Sequence, residues 1–390
     1  MSRLRIGVVG CGAIAQAMHL PYLREMDDRF ELIAVCDRDR DVLTAVAERH
    51  NVDRRHVEPS ELLREPLDAV LIASSGDHAP LVEAALRTGR HVLCEKPLAY
   101  TVEETDALIA AAGRAGRVLM VGFMKRYDPG YRRGAELVRE LADLRLVEAH
   151  VLHPAQEPYL AHHDLLPRRP RPADLSSPRE AAAAILAREP LGELAALAGS
   201  HDPTVLVATS YLLASAIHDI DALGAILGQP ERVVAATAWA NGTSLSATLA
   251  WKGDVRGTYS WSLLPELRNY EETLAFAAPA GRVRIRFPSP YLRHEPTLVE
   301  VESMNGQQAQ AIAITTSYAE AFREELAAFA DAVQDGSPPL TDGRGFRDDL
   351  LTVGAIARAI AADRGGSPFG VEPGAMEGAT ANAPGGRRAR

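Results

Sequence analysis

The stretch Leu4-Arg5-Ile6-Gly7-Val8-Val9-Gly10-Cys11-Gly12-Ala13-Ile14-Ala15 decides how this chain is read. A short apolar run ends in glycine, G-x-G-x-x-A follows, and a helical pattern opens at residue 13. The next apolar run, Phe30 to Cys36, ends at an acid, Asp37. Strand, glycine turn, helix and a following acid are together the context in which such a turn binds a dinucleotide. Gly10 permits the tight turn, Gly12 lets the main chain approach a pyrophosphate, and Ala15 keeps the helix close to the sheet. The N–H groups that open the helix, at Ala13 and Ile14, face the phosphates. Asp37 is expected to accept the ribose hydroxyls and to repel a 2′-phosphate, which favours NAD. Arg38 and Arg40 follow at once and keep NADP as the alternative.

Working outward, strand and helix patterns alternate through the first 120 residues. Strands are expected at 68–73, 91–94 and 118–121, with helices at 39–50, 79–88 and 102–112. Near-continuous apolar strands in β-α units argue for a parallel sheet covered on both faces. The pattern changes after Arg126. A helix (131–141) and a strand (145–152) lead into a Pro-rich stretch, 154–203, that reads as an insertion. Alternation dominates from Val233 to Thr315, as in an open antiparallel sheet, and two helices, 318–334 and 346–363, close the fold. The expected fold class is α/β: a doubly wound parallel N-terminal domain (1–124) and an α+β domain with an open, mostly antiparallel sheet (125–364). The Gly/Pro/Ala-rich tail, 365–390, is expected to be disordered.

Composition narrows function further. The 390 residues carry a net charge of -10, which argues against a phosphate-backbone partner such as nucleic acid. Three widely spaced cysteines, Cys11, Cys36 and Cys94, suit buried thiols in a reducing compartment rather than a disulfide framework or zinc site. His162-His163-Asp164 are too close in sequence to make a tetrahedral site unaided, so no metal is expected. Met1-Ser2-Arg3 leads straight into a strand pattern, and no uninterrupted apolar run reaches the ~20 residues of a membrane span. A cytoplasmic protein without a membrane partner is expected.

Two further places carry chemistry. Glu95-Lys96-Pro97 sits at the carboxyl end of an apolar strand, at the sheet edge where the glycine turn lies and where α/β sheets bind ligands. Later, Ser210 to Gly228 is a strong helix pattern. Spacings of three and four place Tyr211, Ala214, His218 and Asp221 on one face, the composition of a site lining.

These residues resemble the glucose–fructose oxidoreductase/inositol dehydrogenase (Gfo/Idh/MocA) family. The resemblance rests on IGVVGCGAIA (6–15), VCD (35–37), VLIASSGDHAP (70–80), HVLCEKPLA (91–99), VGFMKRYDP (121–129) and IHDID (217–221). It implies an NAD(P)-dependent oxidoreductase acting on a sugar, aminosugar or cyclitol, and assembly as a homodimer or homotetramer. By position, Lys96 matches the lysine that contacts both the nicotinamide ribose and the reacting hydroxyl, with His218 sharing the acid–base work. Ser74, His78 and Glu95 join the cofactor set, and Arg126, Tyr211 and Asp221 the substrate set. A cis bond is expected before Pro97. Many members carry an Asp four residues before the histidine; here that position is Ala214. Two other activities fit the same motifs: a bound-NAD enzyme that oxidises and re-reduces within one turnover, as a glycosidase or epimerase does, and a non-catalytic dinucleotide-sensing regulator.

Overall fold

The computed structural model describes residues 3–167 and 177–365. Residues 168–176 of the Pro-rich stretch, and the tail expected to be disordered apart from Gly365, lie outside the described residues.

The first sheet contains β1 (Leu4–Val9), β2 (Phe30–Cys36), β3 (Arg54–His56), β4 (Ala69–Ile72), β5 (His91–Glu95) and β6 (Leu119–Gly122). Their order is β3-β2-β1-β4-β5-β6 and every pairing is parallel. The order reverses at β1, so the crevice beyond its carboxyl end is the switch point where such sheets take ligands. Helices start where the sequence offers caps. Asp39 accepts from the amides of Asp41 and Val42, and Thr101 with Glu104 forms a capping box for Val102–Ala115.

The second sheet contains β7 (Leu146–His153), β8 (Arg232–Trp239), β9 (Ser244–Ala250), β10 (Arg256–Leu263), β11 (Glu271–Ala278), β12 (Gly281–Phe287), β13 (Leu298–Asn305) and β14 (Gln308–Thr315). The order is β14-β13-β12-β11-β7-β10-β9-β8; β7 and β10 run parallel, and all other neighbours run antiparallel. One face is apolar, with Val147, Val151, Leu274, Phe276, Val283 and Ile285 buried. The other face carries Glu148, His150, Thr258, Arg284, Arg286 and Glu300 and is polar there.

The helical run Pro203–Leu227 fills the space against the apolar face, with Val205, Ala208, Leu212, Ala216 and Ile220 in the core. Among the described residues it is the one helix long and apolar enough to cross a membrane. Here it carries two buried acids, Asp219 and Asp221, each held by a cation. The stretch 154–203 is only partly loop. Helices Pro178–Leu186 and Leu191–Ala198 lie in it and pack on Pro203–Tyr211. The chain finally returns to the first domain. Phe322, Leu326 and Phe329 of Ala321–Gln334 join the core formed by Ile6, Val8 and Leu71. Helix Gly343–Arg364 then packs on both β8 and Val102–Ala115.

Candidate active site

A cleft of about 1270 Å³ runs from the glycine turn to the apolar face of the second sheet. At its first end Gly10 has φ +90°, and a Cβ there would lie 2.5 Å from the Ser74 Cα and 2.6 Å from the Ala73 carbonyl carbon. Only glycine fits this crossing of two main chains. A Cβ at Gly12 would meet nothing within 4 Å, so this face of the turn is open to a ligand. The Asp37 carboxylate accepts from the Cys11 amide at 2.8 Å and the Asp39 amide at 2.8 Å, which ties the end of β2 to the turn. Ala13, Ile14, Arg38 and Ser74 also line this end.

Glu95 and Lys96 are neighbours that both line the cleft, but their charged ends have different partners. Glu95 turns inward to His19 at 2.8 Å. Burial pushes its carboxyl up, but the His19 hydrogen bond and charge, aided by Lys96 and His78, outweigh burial and hold it below the usual range. Lys96 points into the cleft and donates to the Ala214 carbonyl at 2.6 Å. Burial is the main cause that lowers the Lys96 amine; Lys125 adds to it and Glu95 opposes it. The Lys96–Pro97 bond is cis, as expected. His78 is buried and does not line the cleft. Its ring nitrogens face the Ser74 carbonyl (2.6 Å) and the Pro97 carbonyl (2.8 Å), so it braces two strand ends from behind.

The helical run is interrupted by a π turn, Leu212–Ala216, in which the Ile217 amide reaches the Leu212 carbonyl. The wider turn takes an extra residue and rotates the helix beyond it. Tyr211, Ala214, Ser215 and His218 therefore line the cleft, while Asp221 does not. Regular helical spacing would have kept Asp221 with them. Instead Asp221 is buried, pairs with Arg126 at 2.9 Å and lies near Asp349. Burial raises it to about 6 against the pull of Arg126. Arg126 and Asp221, read as substrate residues, thus meet each other outside the cleft wall.

His218 packs edge-on against Phe123 at 5.7 Å, and its Nδ1 is buried without a hydrogen-bond partner among the described residues. Burial, then Lys96 and Lys125, hold its ring well below the ordinary histidine range, so it is neutral at pH 7.

In and beside the cleft lie residues to which the sequence assigned no role. Lys125, beside Arg126 on the turn Met124–Tyr127, donates to Asp219 at 2.8 Å and pairs with Glu272. Tyr259 donates to Asp219 at 2.9 Å and Tyr270 to Glu272 at 2.6 Å. Beyond them Tyr211, Trp261, His153 and Tyr270 form a continuous aromatic wall with ring centroids 4.5–5.9 Å apart. His153 lines the cleft, whereas His150 bonds Ser260 on the outer face of the sheet. The available signal was Glu272: by strand alternation it shares the face of Leu274 and Phe276, where a lone acid needs a partner.

The stretch 154–167 spans the cleft. Leu160 packs into the first domain's core, Gln16 exchanges hydrogen bonds with Leu166 (2.8 and 2.7 Å), and Arg49 holds the Asp164 carbonyl at 2.7 Å. The His163 ring bonds the Tyr291 carbonyl at 2.6 Å.

Comparison with known proteins bears on this site. A family model described as an oxidoreductase family with an NAD-binding Rossmann fold matches residues 4–123. The chain is 36% identical over 137 residues to a myo-inositol 2-dehydrogenase of Thermotoga maritima, covering 35% of this chain and 40% of that protein. It is 35% identical over 138 residues to a dTDP-3,4-didehydro-2,6-dideoxy-alpha-D-glucose 3-reductase of Actinomadura kijaniata, covering 35% and 41%. The matched stretch thus spans about two fifths of these relatives. The fold extends over nearly the whole chain. An aldose-aldose oxidoreductase from Caulobacter crescentus superposes with TM-score 0.69 at 21% identity, covering 93% of this chain and 99% of that one. A 3-ketoreductase mutant from Actinomadura kijaniata, crystallised with TDP-benzene and NADP, gives 0.68 at 22%, covering 91% and 97%. Residues 4–123 thus match the Gfo/Idh/MocA family model, an oxidoreductase family with an NAD-binding Rossmann fold, and beyond that stretch the likeness to known proteins is one of fold.

Proposed function

We propose that the protein is an NAD(P)-dependent oxidoreductase that moves a hydride between nicotinamide and a hydroxyl or keto carbon of a sugar, aminosugar or cyclitol. One observation carries this reading: a single cleft joins the glycine turn and Asp37 to Lys96 and His218. The turn fits a dinucleotide, since Gly12 leaves its face open and Gly10 brings the main chain tight against Ala73 and Ser74. Asp37 at the ribose position supports NAD over NADP. When bound, the dinucleotide supplies the hydride acceptor or donor. The chain's own work is positioning and proton handling. Lys96 accepts the hydroxyl proton, neutral His218 orients the same oxygen, and the Lys125–Glu272 pair and the aromatic wall hold the rest of the ring.

The test follows the near-ultraviolet absorbance of reduced nicotinamide while purified protein meets NAD or NADP and a panel of aldoses, aminosugars and cyclitols. Steady reduction with one substrate, better with NAD, supports the reading. Lys96→Ala and His218→Ala should each lower turnover about 100-fold. Wild-type turnover in both variants would remove these residues from the mechanism. A second reading, a cofactor retained through an internal oxidation and re-reduction, is favoured by the stretch 154–167 pinned across Gln16 and Arg49. Denaturing extraction of stoichiometric dinucleotide from purified protein would select it. Cytoplasmic location and a homodimer or homotetramer complete the proposal, the latter checked by sedimentation.

A further inference from the structure

Lys96 enters the cleft with no carboxylate among the described residues on its nitrogen. The carboxylate of Glu95, next in sequence, is taken by His19. Asp219 and Glu272 are both taken by Lys125. What the Lys96 nitrogen touches is the main-chain carbonyl of Ala214, at 2.6 Å. That carbonyl belongs to the π turn Leu212–Ala216, and Ala214 itself is exposed in the cleft. A widened turn tips its carbonyls off the helix axis and leaves them able to accept from outside.

We propose that the Ala214 carbonyl is a positioning group for the reaction: it fixes the Lys96 amine toward the substrate hydroxyl without a carboxylate's charge, so that Lys96 alone receives the proton. The inference rests on the oxidoreductase reading above. A carboxylate at position 214 would hold the lysine as an ammonium ion, which has no lone pair to offer. A carbonyl accepts an N–H equally from the neutral amine and leaves its lone pair free. In the oxidative direction the substrate O–H bond breaks and its proton forms a new bond to the Lys96 nitrogen. The carbinol C–H bond breaks as a hydride passes to the oxidised dinucleotide. The substrate is left as a ketone, the dinucleotide is reduced, and the ammonium returns its proton to water. The charged and titratable groups facing Lys96 are Glu95 from its own strand, Lys125 from the turn after β6, and His218 from the helix. None of them occupies the Ala214 position.

The experiment measures acylation of Lys96 by mass spectrometry across pH, on the full chain with NAD present, for wild type, Ala214→Asp and Ala214→Asn. Wild-type Lys96 should react at lower pH than the exposed Lys252. Ala214→Asp should shift its half-reaction point upward by about one pH unit or more, since an opposite charge at that range favours the ammonium form. Ala214→Asn, of similar size and uncharged, should leave it near wild type. The acid limb of the turnover profile should move with the labelling. Wild-type Lys96 reacting only where Lys252 does, or Asp and Asn acting alike, would overturn the inference; the wild-type arm decides even if a variant fails to fold. Correct labelling without turnover on any substrate would leave the inference standing and remove the oxidoreductase reading.

Discussion

At one end of the cleft the contacts that matter are between main chains: Gly10 against Ala73 and Ser74, and the Cys11 and Asp39 amides on Asp37. At the other end they are between buried charges: Lys125 with Asp219 and Glu272, Arg126 with Asp221, and two tyrosine hydroxyls completing the set. In the proposed function the main-chain end takes a part common to all dinucleotides, and backbone amides suffice for that. In the same proposal the charged end takes a polyhydroxylated ring, which needs donors and acceptors in fixed positions. Their opposite signs must be balanced inside the protein, so this end depends on complete sets. Removing one member leaves the others buried and uncompensated.

The largest expected effect comes from breaking the charged end. Lys125→Met leaves Asp219 and Glu272 facing each other's charge with only tyrosine hydroxyls as donors. Urea denaturation should show a loss of about 3–5 kcal/mol. The double variant Lys125→Met with Glu272→Gln should recover part of it, because one of the two carboxylates is gone. A loss below about 1 kcal/mol would mean that water reaches the cluster and screens it.

The main-chain end separates stability from binding, and two neighbouring glycines show how. Gly10→Ala puts a Cβ against backbone atoms that cannot swing aside, at a φ of +90° that L-residues avoid. It should destabilise the first domain by about 2–4 kcal/mol and abolish dinucleotide binding. Gly12→Ala meets nothing within 4 Å. It should change stability by less than about 1 kcal/mol yet weaken dinucleotide binding about tenfold or more by blocking the approach of the pyrophosphate. Thermal melts and fluorescence titration with reduced dinucleotide would measure both quantities. Equal stability losses would remove the distinction.

The same contrast governs what could be read before any coordinates. The main-chain end follows from local pattern: a strand, two glycines and an acid at the end of the next strand are consecutive chemistry, and β1, β2, β4, β5 and β6 are apolar runs. Strand β3, Arg-Arg-His, has no such run and forms only by pairing with Ala34 to Cys36. At the charged end, which neighbour faces the cleft depends on tertiary detail. Lys125 and Arg126 are adjacent on a tight turn and point to different acids. The π turn at Leu212–Ala216 has no local signature, since its residues are apolar or small and would suit a regular helix. That one extra residue carried Asp221 out of the expected face and brought the Ala214 carbonyl to Lys96. The two sheets and the placing of Lys96 and His218 along one cleft were therefore legible, whereas the groups those two side chains meet there were not.

The smallest effect sharpens the comparison by titration. Asp349, on Gly343–Arg364, lies behind the charged end. Its Oδ1 accepts from the Gln229 amide at 2.8 Å, while its Oδ2 and the Oδ2 of nearby Asp221 are buried with no N–H donor among the described residues, and the two carboxyls share a hydrogen bond when one keeps its proton. Burial chiefly, and Asp221 next, raise the Asp349 carboxyl well above the usual range. An acid whose folded value is raised keeps its proton in the fold while the unfolded chain has already released it. The fold therefore loses stability as pH rises from the unfolded value, near 4, through the folded one. Asn at this position never ionises and can donate to the free oxygen of Asp221. The stability of Asp349→Asn relative to wild type should thus improve between pH 5 and pH 8, by about 1 kcal/mol or more. Guanidinium denaturation at the two pH values reads this directly. A difference that does not change with pH would mean that the Arg126 charge reaches both acids and keeps them ionised throughout, making the charged end as fully compensated as the main-chain end.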